Sequence, residues 1–167
     1  MQISAALLAF VLPLLSLATP TSSSEAAPST LPPLEYLFRV SLNVDKPLNP
    51  IPIPGGEQLI EPIINGTITG PSLNGTIYHS IAYPTAYKIG NETVQYPEIL
   101  VYGQSNDGES FLVQEVGVGA GSEQWSRIRL TVGGKYEYLS RAYILAHIQV
   151  ARSAAVVQVD CWCVGCM

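Results

Sequence analysis

The segment Ile64–Ile77, INGTITGPSLNGTI, writes NGTI twice, nine residues apart. A turn at Thr69-Gly70-Pro71-Ser72 makes it a hairpin, because Gly and Pro supply the dihedrals a tight reversal needs. Across that turn Ile68 faces Leu73, Gly66 faces Gly75 and Ile64 faces Ile77. Side chains alternate with period two, so these six share one side, and Asn65, Thr67, Asn74 and Thr76 share the other. One register therefore predicts burial of every large apolar residue. The facing glycines predict a thin inner surface that another backbone or a ligand approaches closely. Two copies are too few for a solenoid, which needs at least about three.

The chain on either side keeps this style. Leu34–Val44, LEYLFRVSLNV, alternates apolar and polar residues as a half-buried strand does. DKPLNPIPIPGGEQ is a Pro-rich loop. PEILVYGQ and SFLVQEVGVG flank SNDGE, whose Asp-Gly is a strong hairpin signal. WSRIRLTV and YILAHIQV flank GGKYE and predict a third hairpin. No stretch holds a helical period beyond three turns. Short strands between Gly, Pro and Asn turns predict an all-β fold, a single antiparallel β-barrel of about eight to ten strands that can hold a small ligand.

The ends read differently. Residues 1–18 contain an apolar run, Ala5–Leu15, then Ser16-Leu17-Ala18, the plan of a secretory signal peptide. The run is shorter than the roughly 20 residues a membrane span needs, so no membrane span is expected. Residues 19–33 form a Pro/Ser-rich linker, residues 34–150 the barrel domain, and residues 151–167 an atypical cysteine-containing tail. The tail holds all three cysteines, Cys161, Cys163 and Cys166. Their C-x-C-x-x-C spacing lacks a fourth ligand for zinc. The tail is expected to lie outside a regular fold, leaving the C-terminal strand irregular or incomplete. A barrel without its closing strand would expose two edges. Asn65, Asn74 and Asn91 each begin an Asn-x-Thr sequon, which with a signal peptide points to an N-glycosylated protein, secreted or lumenal in the secretory pathway.

The net charge is -5, with only eight Lys and Arg, all scattered. Phosphate recognition needs clustered cations, so no nucleic-acid partner is expected. The chain has no G-x-S-x-G elbow, no Cys–His pair in its body and only two histidines, His79 and His147. No metal and no cofactor are expected. Gly117–Gly121, GVGAG, lacks the third-glycine spacing and the following helix of a dinucleotide fingerprint, and reads as a flexible loop at the barrel rim.

Four blocks, LEYLFRVSLNV, NGTITGPSLNGTI, PEILVYGQSNDGESFLVQEVGVG and RLTVGGKYEYLS, stand in the order found in domain-of-unknown-function family 3237. The chain resembles that family from Leu34 to Ser140. The resemblance implies a small lipocalin-like cup, mostly uncharacterised in activity, and so bears on fold more than function. The family tends to carry a Gly-Gly-x-Asp-Trp stretch after its Gly-Pro hairpin. Here YHSIAYPTAY stands there, with Tyr83 near the place of the acid. The family's acid nine residues before the turn Asp corresponds to Glu98, ahead of Asp107.

The candidate site residues follow. Glu98, if inward, is a general acid or base, and His79 and Tyr83 are candidate donors to a carbonyl. Tyr87, Tyr102 and Trp125 are candidate pocket walls, since an aromatic face with a polar tip suits a ring-shaped ligand. Glu115 shares a face with Val113 and Gly117 and is expected to pair with Arg127 or Arg129. This inventory fits a cofactor-independent cyclase or pericyclase, hetero-Diels–Alderase-like, acting on a small hydrophobic natural-product intermediate. Such a reaction needs orientation and a hydrogen-bond donor, not a nucleophile. The alternative is a secreted, non-catalytic, lipocalin-like binding protein, and a glycan-bearing surface protein is a third reading. The expected partner is a small hydrophobic ligand or substrate, with homo-oligomerisation open. Two ionisable groups converging on one cavity favour catalysis, and an aliphatic, Tyr-lined pocket favours carriage.

Overall fold

A computed structural model describes residues 32–150 and 155–166. The predicted signal peptide, residues 19–31 of the linker and residues 151–154 lie outside the described residues.

The chain runs β1 (Leu34–Val44), β2 (Ile51–Ile53), β3 (Gly56–Gln58), β4 (Glu61–Thr69), β5 (Gly75–Ile77), β6 (Ser80–Ala82) and β7 (Thr85–Ile89). It continues through β8 (Glu92–Tyr96), β9 (Glu98–Ser105), β10 (Ser110–Ala120) and β11 (Glu123–Val132). A 3-10 helix, Gly134–Arg141, precedes β12 (Ile144–Val150) and β13 (Val156–Val164). All pairings are antiparallel, and eight staves close on themselves: β9, β10, β11, β12, β13, β1, β4, and a last position that β5 and β6 share between β4 and β9. The all-β barrel is thus the fold. A ribbon of β2, β3, β7 and β8 hangs from the end of β10 through Gly119 opposite Gln95 and Ala120 opposite Val94.

The tail closes the barrel. β13 pairs along β1 from Leu34–Val164 to Asn43–Val156, and along β12 from Ile144–Cys163 to Val150–Val157. The expectation of a missing stave is corrected, and the reason lies in VVQVDCWCV itself. Val157, Val159, Cys161 and Cys163 are in inward phase and pack as small hydrophobes. Asp160 and Trp162 take the outer phase. Cys163 and Cys166 form a disulfide, and Cys161 is free and buried.

The opening hairpin forms with a different register. Ile68 faces Gly75 and Gly66 faces Ile77, so the connection is six residues, Thr69–Asn74. A shift of two keeps every residue on its predicted side, apart from Ile64. There β4 bulges: Asn43 pairs Asn65 but Val44 pairs Ile63. Ile63 is buried and Ile64 exposed. The glycines admit backbone. A Cβ on Gly66 would stand 2.6 Å from the Ser41 carbonyl oxygen, and one on Gly75 2.6 Å from that of Gln104.

The Asp-Gly hairpin forms as predicted, with Ser110 opposite Gln104. GVGAG is strand up to Ala120, and Gly121-Ser122 makes a two-residue turn with Gly121 at φ 64°. This strand-and-turn replaces the expected flexible loop. β11 and β12 pair, but the 3-10 helix replaces the short GGKYE turn. Tyr136 and Leu139 of that helix are buried against the barrel's end. Tyr136 donates its hydroxyl proton to Asp107, and Lys135 Nζ lies 2.5 Å from the same carboxylate.

Candidate functional site

Strict alternation fills the barrel with aliphatics. β11 buries Gln124, Ser126, Ile128, Leu130 and Val132 and exposes the residues between. Most of the interior is packed solid by side chains such as Phe38, Ile68, Ile77 and Ile144. Toward the ribbon end a cavity of about 180 Å³ remains. Leu42, Ile63, Ala82, Ile99, Ile148 and Val157 supply part of its apolar wall. Pro84 and Pro97 line it where the ribbon joins the barrel. None of the described residues that line it is aromatic.

Three polar side chains line the same cavity: Glu61, Gln95 and Gln124. Gln124 Nε2 donates to Gln95 Oε1 at 2.6 Å, tying the ribbon strand β8 to the barrel wall. Burial raises the Glu61 carboxyl above the usual carboxylate range. One level deeper lies Glu115, 4% exposed. It is the register partner of Ile99, and Ser126, the next inward residue after Gln124, donates its hydroxyl proton to Glu115 Oε1. Burial pushes the Glu115 carboxyl up to about 7, against a smaller lowering by the Ser126 hydrogen bond. Near neutral pH it is therefore divided between acid and carboxylate. Burial raises the Cys161 thiol well above its ordinary range, and the charges of Glu115 and Asp160 add to this. Cys161 is thus a packed thiol rather than a nucleophile.

Of the predicted site residues, Glu115 alone faces the barrel interior. Its expected partners Arg127 and Arg129 sit in the outer phase of β11, so Ser126 takes their place. Glu98 opens β9 in the phase opposite to buried Ile99 and Val101. His79 is exposed in the break between β5 and β6. Tyr83 is half-buried, its backbone N–H bonded to Glu98 O at 2.8 Å and its carbonyl accepting from Gln58 Nε2. Glu98, His79 and Tyr83 do not line the cavity. The pocket-wall aromatics stand elsewhere. Tyr87 packs edge-on to Tyr96 with centroids 5.9 Å apart, and Tyr102 lies 6.3 Å from Tyr78. Trp125 is 52% exposed and stacks on His147 at 4.5 Å. Asn65 and Asn91 are exposed, and Asn74 Nδ2 donates to Gly70 O at 2.7 Å within its loop.

The residues that sequence reasoning missed are Glu61, Gln95 and Gln124. The phase of WSRIRLTV carried a signal: Ile128, Leu130 and Val132 inward put Gln124 inward and Trp125 out. Glu61 was hidden by the bulge. Counting back from Ile64 turns it outward, whereas Ile63 is the residue that points in. No His/Cys/Asp/Glu cluster among the described residues is arranged to hold a metal ion, and no described helix is long and apolar enough to cross a membrane.

Fold and cavity define a small, closed, antiparallel β-barrel with an acid-bearing apolar pocket. The chain belongs to the family described as Protein of unknown function (DUF3237), which matches residues 32–150. The match ends before β13, the stave that closes the barrel. The fold is similar to that of a conserved protein of unknown function from Rhodopseudomonas palustris, at 20% identity and TM-score 0.67, covering 81% of this chain and 98% of that one. An enzyme from Penicillium herquei is similar at 19% identity and TM-score 0.64, covering 83% and 98%. A beta-barrel like protein from Acinetobacter baumannii is similar at 17% identity and TM-score 0.68, covering 81% and 99%. No curated protein matches the chain.

Proposed function

We propose that the barrel binds a small hydrophobic molecule and promotes a cofactor-independent ring closure on it. The sharpest form is a hetero-Diels–Alder closure of a natural-product intermediate. One observation carries the reading: an apolar cavity whose few polar groups are the Glu61 carboxyl and the Gln95–Gln124 amide pair, with a second carboxyl, Glu115, buried one level below. A cycloaddition forms two σ bonds from π electrons and loses no atoms, so it needs neither leaving group nor nucleophile. It needs the reacting ends held together and charge on a carbonyl oxygen stabilised as it builds. The apolar wall supplies the first. The Gln95 side-chain N–H, left free where Gln95 Oε1 accepts from Gln124, supplies the second. The fold likeness to an enzyme from Penicillium herquei accords with this reading.

Model substrates carrying an enone and a tethered alkene test it, with product enantiomers separated by chiral chromatography. The uncatalysed closure gives a racemate. The protein is expected to give an excess of one enantiomer, lost in Gln95→Glu, which keeps the acceptor for Gln124 and removes the donor, and in the cavity-filling Ala82→Phe. Bound substrate that closes to a racemate would overturn catalysis. It would leave the lipocalin-like carrier, which the wholly non-aromatic, mostly aliphatic wall favours.

The secretory route belongs to the same proposal. The exposure of Asn65 on the outer face of β4 and of Asn91 in the β7–β8 turn supports it.

A further inference from the structure

We propose that the cavity selects a compact, non-aromatic molecule whose single polar end donates hydrogen bonds, a hydroxyl or an amine, and rejects carboxylates. The inference rests on the cavity being the binding site and names what the site takes.

Size comes first. An apolar cavity of roughly 150 Å³ accepts benzene. The cavity here, about 180 Å³, fits a ligand with on the order of ten non-hydrogen atoms by that comparison. A long acyl chain does not fit.

Shape and surface come second. The wall is branched aliphatic and proline, with no ring to stack on. A flat aromatic ligand gains nothing special from it, whereas a globular saturated skeleton packs against its methyl and methylene groups.

The polar end comes third. Among the described residues Glu61 is the one charged residue in the wall, and none of those lining the cavity is Lys, Arg or His. Among the described residues no cation pairs with Glu61. Glu61 is placed opposite Ala82 by the β4–β6 register, so its carboxyl stands at the level of the apolar wall. Gln124 Nε2 donates to Gln95 Oε1, which leaves Gln124 Oε1 as a further acceptor and the Gln95 Nε2 group as a donor. Glu115 below adds negative charge as it ionises, and no described cation offsets it inside the barrel. Negative charge therefore dominates the polar end. A ligand carboxylate would enter against like charge in a low-dielectric site, where repulsion is strong. A hydroxyl or ammonium would find acceptors waiting.

Three probes sharing one saturated cage separate the possibilities: 1-adamantylamine, 1-adamantanol and adamantane-1-carboxylate. Each is titrated at pH 7 into the full-length protein, with affinity read by calorimetry. The amine and the alcohol are expected to bind, and the carboxylate to bind at least about ten-fold more weakly. In Glu61→Gln, isosteric but uncharged, the amine should lose about ten-fold and the carboxylate should gain. A carboxylate bound as tightly as the amine, or an amine affinity unmoved by Glu61→Gln, overturns the headgroup assignment and leaves the cavity reading standing. No binding of any probe by a folded wild-type protein overturns both. Should Glu61→Gln fail to fold, the order of the three probes on the wild type decides alone.

Discussion

Arg39 grips Asp160 with two prongs across the seam that closes the barrel. Its Nε and Nη2 lie 2.7 and 2.8 Å from the two carboxylate oxygens. The two residues are register partners on β1 and β13, the first stave and the last. The Asp160 carboxylate raises the Arg39 guanidinium further above its ordinary range, chiefly by the hydrogen bond. The two-pronged geometry favours this register of β13 over a slip. Asp160→Asn should lower the Tm, and Arg39→Lys, which keeps the charge and loses the fork, should lower it less. Thermal unfolding followed by circular dichroism reads both, and equal Tm values for all three proteins would remove the pair from the account of closure.

A chain stopped after Val150 tests the seam more severely. It retains the whole family match yet leaves β1 and β12 as open edges beside an exposed interior. Open edges invite pairing with other chains. The truncated protein is expected to aggregate or remain unfolded by size-exclusion chromatography. A monomer with the full chain's circular dichroism would contradict the closing role of β13.

Glu115 predicts how stability depends on pH. Its folded value, about 7, stands above the usual range near 4.3 for an unfolded Glu. Below the unfolded value both states hold the proton and no penalty exists. Between the two, the unfolded chain releases the proton while the folded one keeps it, so stability falls as pH rises. Above about 7 the penalty is complete, on the order of 3 kcal/mol. Glu61, raised in the same direction by burial, deepens the fall. Glu115→Gln should be more stable than wild type at pH 8 and flatter across the window. Urea unfolding at a series of pH values measures this, and an unchanged slope would place the Glu115 carboxyl in water.

Gly66→Ala should cost more stability than Gly108→Ala. The new Cβ would stand 2.6 Å from Ser41 O and 3.0 Å from Leu42 Cδ2. Overpacking of this kind costs about 1–3 kcal/mol. Gly108→Ala, at φ 91° in an open turn with nothing nearby, should cost about 1 kcal/mol by backbone strain alone. Denaturant midpoints compare them, and the opposite order would fault the packing described between β4 and β1.

Much of the barrel was legible. Alternation in LEYLFRVSLNV, the Asp-Gly turn and the doubled NGTI placed β1, β9, β10, β4 and β5. Closure was not, because VVQVDCWCV follows no family block and its clustered cysteines, unlike the rest of the chain, read as a tail outside the fold. The site was less legible still. Pockets are set by which phase of a strand points inward, and one bulge at Ile64 reverses that phase for Glu61. Aromatics suggested a pocket wall, yet the inward rings, Phe38 and Phe111, are packed into the core, and Trp125 and Tyr102 stand outside. Glu115 was found because Val113 on its own face fixed its phase.

The central claim is that the ribbon-end cavity is where a ligand binds. It is tested most directly by titrating 1-adamantanol into the wild-type protein and into Ala82→Phe, which fills the cavity from β6. The account predicts one-to-one binding to the wild type and none to a variant that keeps the wild-type fold by circular dichroism. Equal binding to both, or none to the wild type, would contradict it.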